Sequence, residues 1–551
     1  MKPMSPPSAL ESAAYSDDEK ALIREVAPRF VQRRYEASNG VAVSYNLFVP
    51  EGYDSTQSYP LVLFVHDAGA LSENPVTTLY QGTGAVSFAS PADQERHPAF
   101  VVAPQYAEVL TSAESDQGVA TFEMLDSLCR EFNIDRDRMY NTGQSMGGMF
   151  ALSTNIAHPD LFAASYLVAC QWPVEEFYRF AQKPMWVVVA EGDPRAYPGM
   201  QEAMQAWSAA GAKIAEAEWD GSCMEDCYTA AVDSLMARDA NIRFAHFTLG
   251  TVKSEHTGSP AAEHMASWPV AYRISGIRDW LFTQSKSRMT RADSIAASLR
   301  DADGGNVLVV AERGDWHGTQ ECSLHAILKA IEKGAAMVEL PVRLTADSVA
   351  VCYPDATVDR LMNGTGRVAD MTLDELQSLT PKEYRGGTTL PVVPTLRDAI
   401  DFCRGRIMIM LRPEDLTAVV EREVKDADAT DMVLFAGTVL PEDEALLRMP
   451  LVDLDGESAS ADLASALGSK PVAVELRYAS DDNPMVAEAF SKCEGEVRIC
   501  VNTIQGKGYA GSHHDTAPGD DADREWGELI RSGATIIISD QIKPLLRYLS
   551  E

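Results

Sequence analysis

The sequence predicts an α/β protein in two parts: an open, mostly parallel, doubly wound sheet, followed by a closed (β/α)8 barrel. Three observations carry this reading. The chain has 551 residues, more than a single hydrophobic core supports. Short apolar runs without polar alternation, the mark of parallel strands covered on both faces, recur between helical stretches. This rhythm stops at a polar stretch near residue 290 and then restarts, with about eight further runs in the remaining ~250 residues, the count of a (β/α)8 barrel.

Taken in order, residues 1–40 form an N-terminal extension, polar and charged to residue 35 and ending in a short helix. The first domain spans 41–287. Its strands are expected at Leu61–His66, Phe100–Ala103, Ala164–Ala169 and Met185–Ala190, with helices at Glu114–Phe132 and Gly199–Ala209. The run Trp268–Gln284 reads as a closing helix. Strands alternating with helices imply an open, mostly parallel sheet. Residues 288–305 read as a linker, with Asp-Ala-Asp-Gly-Gly near its end. The second domain, 306–551, has runs at Val307–Ala311, Met337–Leu340, Val349–Cys352, Arg406–Met410, Met432–Phe435, Val472–Leu476, Val497–Val501 and Thr535–Ile538. A second doubly wound sheet is the rival to the barrel, and the pattern alone does not separate them.

The formal charge of −34 disfavours nucleic acid and anionic membrane surfaces as partners. Met1–Glu19 has no apolar core, and no stretch approaches a membrane span. The expected location is the cytoplasm, unless a leader has been removed. The nine cysteines are sparse and mostly sit in apolar runs, which reads as reduced thiols. Cys223 and Cys227 are expected to be two loop thiols rather than a redox couple or half a metal site, since no second pair with zinc-ligand spacing accompanies them.

Tyr140-Asn-Thr-Gly143-Gln144-Ser145-Met146-Gly147-Gly148 places G-x-S-x-G between a strand and a helix. That spacing suits a sharp turn on which small residues let the backbone fold tightly and the serine hydroxyl projects. The helix N-terminus and the Met146 N–H then favour a developing oxyanion. An activated serine needs a base and an orienting acid, which on such a sheet follow in the order Ser, Asp, His. Asp193, in the Gly-Asp-Pro turn after Met185–Ala190, is the expected acid, and Glu191 a less suitable substitute nearer the strand. Of the histidines that follow, His246 lies inside an apolar run and reads as a core residue. His264, just before Trp268, is the expected base, with His256 the runner-up; His317 falls behind the domain. The second oxyanion donor is expected from His66-Asp67-Ala68-Gly69-Ala70, with Ala68 N–H the choice. Asp67 is unusual there, because a carboxylate disfavours an oxyanion unless it points away.

Residues 41–284 resemble the esterase and predicted-peptidase branch of the α/β hydrolases, relatives of polyhydroxybutyrate-depolymerase-like and feruloyl-esterase-like proteins. The matching pieces include Val65-His66-Asp-Ala-Gly69, Phe100-Val-Val-Ala-Pro-Gln105, Gly143-Gln-Ser-Met-Gly-Gly148, Pro159-Asp-Leu-Phe-Ala-Ala164 and His264…Trp268. Two departures stand out: His66-Asp67 replaces the usual His-Gly, and Ala190-Glu191-Gly192 the usual Phe-His-Gly. The resemblance implies a Ser145–His264–Asp193 triad without a cofactor.

Residues 307–551 are similar to glycerophosphodiester phosphodiesterases, (β/α)8 (TIM-like) barrels that use two histidines and a carboxylate-held divalent metal. Glu312-Arg313-Gly314 stands for that family's His-Arg-Gly, and Gln320-Glu321-Cys322 for its Glu-Asn-Thr. Glu339-Leu-Pro341-Val stands for Glu-Leu-Asp-Val, Pro354-Asp355 for His-Asp, and Met410-Leu411-Arg412 for Glu-x-Lys. Both histidines and the metal-binding aspartate are thus replaced. Arg313, Glu321 and Glu339 remain, either to hold an anion or a weak cation or as a salt-bridge set. The resemblance therefore implies a barrel without phosphodiesterase chemistry, a binding or scaffolding module.

Three functional readings follow. The first is a carboxylic-ester hydrolase acting through an acyl-enzyme. The second is an amidase or peptidase on the same triad. The third is a non-catalytic binding protein. The sequence leaves the natural ester and the oligomeric state open.

Overall fold

A computed structural model describes residues 15–252, 262–287, 290–302, 304–382, 390–414, 417–504, 510–515 and 521–551. The chain divides into two units, Met1–Arg288 and Met289–Glu551.

The first unit is built on a nine-stranded sheet: β1 Val31–Glu36, β2 Ala42–Phe48, β3 Tyr59–Val65, β4 Phe100–Gln105, β5 Ile134–Gln144, β6 Ala164–Val168, β7 Met185–Ala190, β8 Ile214–Trp219 and β9 Ile242–Phe247. Their order is β1-β2-β4-β3-β5-β6-β7-β9-β8. β1 and β2 are antiparallel, and everything from β4 onward is parallel. Central strands such as β4 and β7 are buried along their whole length, which is why they read as unbroken apolar runs. Their residues still divide by face, because strand side chains alternate. Val62 and Phe64 join the cluster containing Tyr166, Trp186 and Tyr272, whereas Leu61, Leu63 and Val65 join that of Phe100, Met124 and Phe150. The helices that matter for the site are α1 Asp116–Glu131, α2 Met146–Ala157, α3 Ala196–Ala209, α4 Ala262–Arg273 and α5 Ser275–Phe282.

The second unit is a closed barrel of eight parallel strands: β10 Leu308–Glu312, β11 Met337–Leu344, β13 Met408–Pro413, β14 Val433–Gly437, β15 Leu447–Asp453, β16 Ala473–Arg477, β17 Arg498–Asn502 and β18 Ile536–Ser539. β10 pairs with both β11 and β18 and closes it. Its interior is filled by Val310, Met337, Met408, Met410, Leu434, Met449, Cys500 and Ile538, among others. The doubly wound sheet followed by a (β/α)8 barrel is the fold class expected.

Four details differ from expectation. The extension ends in strand β1 rather than a helix; the helix lies earlier, at Asp17–Val26, with Ser16 and Glu19 forming a reciprocal cap. The closing helix is two helices, α4 and α5, parted at Ile274 in extended backbone. Val349–Cys352 is not a barrel stave: β12, Ala350–Cys352, runs antiparallel to β11. The missing stave is β15, whose sequence Leu-Arg-Met-Pro-Leu-Val-Asp alternates and is only partly buried. Cys223 and Cys227, expected as separate thiols, are joined as a disulfide with Cα atoms 5.8 Å apart. The four-residue spacing permits that approach as the chain enters the helix Glu225–Met236.

Candidate active site

β5 lies between β3 and β6, with Gly143 opposite Val65 and Gln144 opposite Val168. Ser145 therefore emerges at the C-terminal edge in the middle of the sheet, where such folds place their chemistry. The turn is tight. Ser145 has φ 51° and ψ −116°, a conformation that costs an L-residue energy unless its surroundings enforce it. They do: its N–H donates to Val168 O at 3.0 Å, and α2 starts at the next residue. Gly143 and Gly147 are required by space. A Cβ on Gly143 would lie 2.5 Å from the Gly147 carbonyl carbon, and one on Gly147 would overlap the Val65 carbonyl.

The structure brings Ser145, His264 and Asp193 together. Ser145 Oγ is 3.0 Å from His264 Nε2, and His264 Nδ1 is hydrogen-bonded to Asp193 Oδ2. Asp193 is 1% exposed, and its other oxygen accepts from the N–H groups of Arg195 (3.0 Å) and Ala196 (2.9 Å). Burial works against the Asp193 carboxylate, but the bonds from His264 and Ala196 outweigh it and hold its pKa below the usual range. The His264 ring meets the Trp268 indole edge-on at 5.3 Å, and Ser267 Oγ donates to His264 O at 2.8 Å.

Glu191 and His246 lie together elsewhere. Glu191 Oε1 is 3.2 Å from His246 Nδ1, and Glu191 Oε2 accepts from Leu249 N–H at 2.9 Å. His246 is buried at β9, as a core residue. His256 lies outside the described residues. His317 belongs to the second unit, stacked on Trp316 at 4.7 Å and 3.2 Å from Asp315.

Met146 opens α2, and Ala68 opens the 3-10 turn Ala68–Ala70. Their N–H groups have no partner within their own elements. The preceding loop is firmly held. His66 is fully buried, accepts from Tyr106 N–H at Nε2 (3.1 Å) and meets Asp67 O through Nδ1 at 2.7 Å. Burial lowers its pKa, which suits the neutral ring those two bonds describe. Asp67 caps the turn, accepting from Gly69 N–H at 2.7 Å.

Sequence reasoning missed Glu263. Its carboxylate accepts from Gly192 N–H (3.0 Å) and Gly250 N–H (2.9 Å), clamping the loop that carries Asp193 to the start of α4. A Cβ on Gly192 would collide with it. A glycine beside the acid, and a glutamate beside the base, were the available signals.

At the C-terminal ends of the barrel strands the carboxylates are engaged by guanidinium groups. Arg412 donates to Glu339 (2.5 Å) and Glu475 (2.8 Å). Arg313 donates to Glu321 at 2.6 Å, and Arg360 to both Glu321 oxygens at 2.6 and 2.9 Å. Arg360 also holds Asp355 at 2.6 Å. Burial opposes ionisation of Glu321, but the bonds from Arg360 and Arg313 outweigh it and lower its pKa. Among the described residues, no group of three or more His, Cys, Asp or Glu is arranged to hold a metal ion. Nor is any helix among them long and apolar enough to cross a membrane.

The Esterase family matches residues 38–218. The glycerophosphoryl diester phosphodiesterase family matches 312–440, and a family described as a domain of unknown function matches 448–549. Over 100 residues the chain is 41% identical to glycerophosphodiester phosphodiesterase 1 of Bos taurus, 18% of this chain and 30% of that protein. Over 72 residues it is 46% identical to a glycerophosphodiester phosphodiesterase of Caldanaerobacter subterraneus, 13% of this chain and 30% of the other. The chain thus spans about a third of the length of these curated relatives. Among solved structures, a thermostable esterase matches at 26% identity and TM-score 0.40, covering 48% of this chain and 64% of the other. A glycerophosphoryl diester phosphodiesterase from Parabacteroides distasonis matches at 24% and 0.40, covering 48% and 92%. The first unit thus carries a stretch similar to esterases, and the second a stretch similar to glycerophosphoryl diester phosphodiesterases.

Proposed function

We propose that the first domain hydrolyses a carboxylic ester through an acyl-enzyme on Ser145. The observation that carries this is the continuous relay from Ser145 Oγ through His264 to the buried, ionised Asp193. Ser145 Oγ attacks the acyl carbon as its proton passes to His264 Nε2, and Asp193 stabilises the imidazolium. The oxyanion is received by the Met146 and Ala68 N–H groups. His264 then protonates the leaving alkoxide, the C–O bond breaks, and the acyl group remains on Ser145. A water, deprotonated by His264, attacks the acyl-enzyme; the acid leaves and Ser145 regains its proton. The test is a panel of short acyl esters and peptide amides, with a fluorophosphonate probe of Ser145. Probe labelling and ester turnover that both vanish in Ser145→Ala support the reading; equal turnover in a folded Ser145→Ala overturns it.

The barrel, in this reading, is a binding or scaffolding domain rather than a second enzyme. Its relatives are named as phosphodiesterases, whose chemistry needs a proton shuttle and a metal that polarises the phosphoryl oxygen. The residues present do not fit a divalent metal. Hard cations need several oxygen ligands, yet Glu321 is already engaged by Arg313 and Arg360, Glu339 and Glu475 share Arg412, and Pro341 and Met410 supply no oxygen ligand from their side chains. Pro354 has no proton to give, and Glu312 is 4% exposed beside Arg313. Glycerophosphocholine should therefore survive incubation with the protein, with or without Mg²⁺ or Ca²⁺. Metal-dependent release of glycerol phosphate that persists in Ser145→Ala and disappears in Glu339→Ala would show that the barrel is an enzyme.

A further inference from the structure

Asp67 is 3% exposed, and no cationic side chain among the described residues pairs with it. A buried carboxylate held only by neutral donors is costly, and here it sits beside the place where negative charge would develop. Its contacts suggest what it does there. One oxygen accepts from Gly69 N–H at 2.7 Å and the other from Gln144 Nε2 at 3.0 Å. The Asp67 carbonyl in turn accepts from Ala70 N–H at 3.2 Å. Of the three successive N–H groups in the turn Ala68–Ala70, Asp67 therefore occupies the second and third and leaves that of Ala68.

Gln144 is the residue before the nucleophile, and the β3–β5 register makes the link possible. Val65 opposite Gly143 sets the residues that follow each strand side by side. Resting on the triad reading above, we propose that the Asp67–Gln144 hydrogen bond is a positioning device. It ties the Ala68 oxyanion donor to the strand that carries Ser145, so that donor and nucleophile keep a fixed separation. Neither side chain touches the reacting atoms; both act through the backbone groups they hold. The Gln144 Oε1 atom is buried without a partner among the described residues, so its amide can turn over to accept from an asparagine at position 67.

The experiment measures kcat and KM on a short-chain p-nitrophenyl ester for Asp67→Ala, Gln144→Ala, the double variant and Asp67→Asn, and amide hydrogen exchange across residues 66–70. Loss of one oxyanion donor costs roughly 10²–10³ in kcat, so loosening one should cost about 10–100-fold, with KM within about twofold. The double variant should be no worse than the more damaged single, because both remove the same link, and Asp67→Asn should restore most of kcat. In Gln144→Ala the Gly69 and Ala70 amides should exchange about tenfold faster. If Gln144→Ala does not fold, Gln144→Met keeps the volume, loses only the amide and carries the same test. Additive losses, an unchanged kcat in an active protein, or unchanged loop exchange overturn the proposal. A wild-type protein without ester turnover overturns the triad reading instead, and the loop exchange then decides the Asp67–Gln144 link by itself.

Discussion

The two domains put their polar side chains in the same place, at the C-terminal ends of parallel strands, and use them in opposite ways. Beside β5, Ser145 is partly exposed, the Met146 and Ala68 N–H groups are unclaimed within their elements, and the buried Asp193 is hydrogen-bonded to His264. At the mouth of the barrel, Glu339, Glu475, Glu321 and Asp355 are each closed off by an arginine. Chemistry needs groups whose bonding capacity is reserved for the transition state. A site whose carboxylates are tied to shared arginines is suited to holding its own shape. The same architecture thus carries a hydrogen-bonded serine, histidine and aspartate in one domain and arginine-held carboxylates in the other.

That contrast is tested hardest at the serine. Ser145→Ala should abolish hydrolysis of activated esters, a loss on the order of 10⁴-fold or more in kcat, which corresponds to at least about 5 kcal/mol of barrier. His264→Ala should be as damaging, and Asp193→Asn nearly so, because the neutral amide no longer enforces the productive imidazole tautomer. Titrating active enzyme with a fluorophosphonate separates a true kcat loss from misfolding. If His264→Ala keeps activity and His256→Ala does not, the base has been misassigned.

The barrel side should respond in stability rather than in catalysis. Glu339 is 6% and Glu475 4% exposed, so Arg412→Gln leaves two buried carboxylates without their cation. Breaking a buried pair costs about 3–5 kcal/mol, and partial exposure of Arg412 places the expected loss near the lower figure. Removing the charges together, as Arg412→Met with Glu339→Gln and Glu475→Gln, should recover more than half of it. Denaturant unfolding measures both, and an unchanged midpoint in Arg412→Gln would mean that the network is not what holds the mouth together.

Most of the framework could be read from the sequence because buried parallel strands leave unbroken apolar runs, and β3, β4, β6, β7 and seven of the eight staves do so. β15 escaped for a physical reason. Only Leu447, Met449 and Val452 are well buried, and Arg448 and Pro450 interrupt the run, so it reads as a loop. β12 misled for the opposite reason: three buried residues look like a stave but form an antiparallel edge to β11. Ser145 and Asp193 were legible because a tight turn demands glycines around one and a strand end fixes the other. The choice of His264 over His256 rested on its position before Trp268, and the structure places it beside both partners. The contacts of Glu263 and Asp67 were not legible. Their carboxylates meet backbone N–H groups and, for Asp67, also the Gln144 side-chain amide, and a sequence carries no sign of which amides a carboxylate will meet.

The smallest effect expected is also on the barrel side, at Asp515. This carboxylate is 4% exposed, and burial pushes its pKa up to about 6 although Thr503, Trp526 and Ser539 all donate to it. A folded pKa above the unfolded value means that the folded protein favours the protonated form. The contribution is therefore most favourable below about pH 4 and is lost as pH rises through about 6, opposite in sign to a salt-bridged carboxylate. Between pH 5 and 7 the loss should be about 1 kcal/mol. The chain's large negative charge also destabilises it as pH rises, so the wild-type slope alone does not isolate Asp515. The difference between wild type and Asp515→Asn removes that background, because the asparagine does not titrate. The stability gap between the two should shift by about 1 kcal/mol from pH 5 to pH 7, with wild type losing ground to the variant. A gap that stays constant over this range would show that Asp515 is ionised throughout, held by Thr503, Trp526, Ser539 and the Asp540 N–H as firmly as the barrel's other carboxylates are held by their arginines.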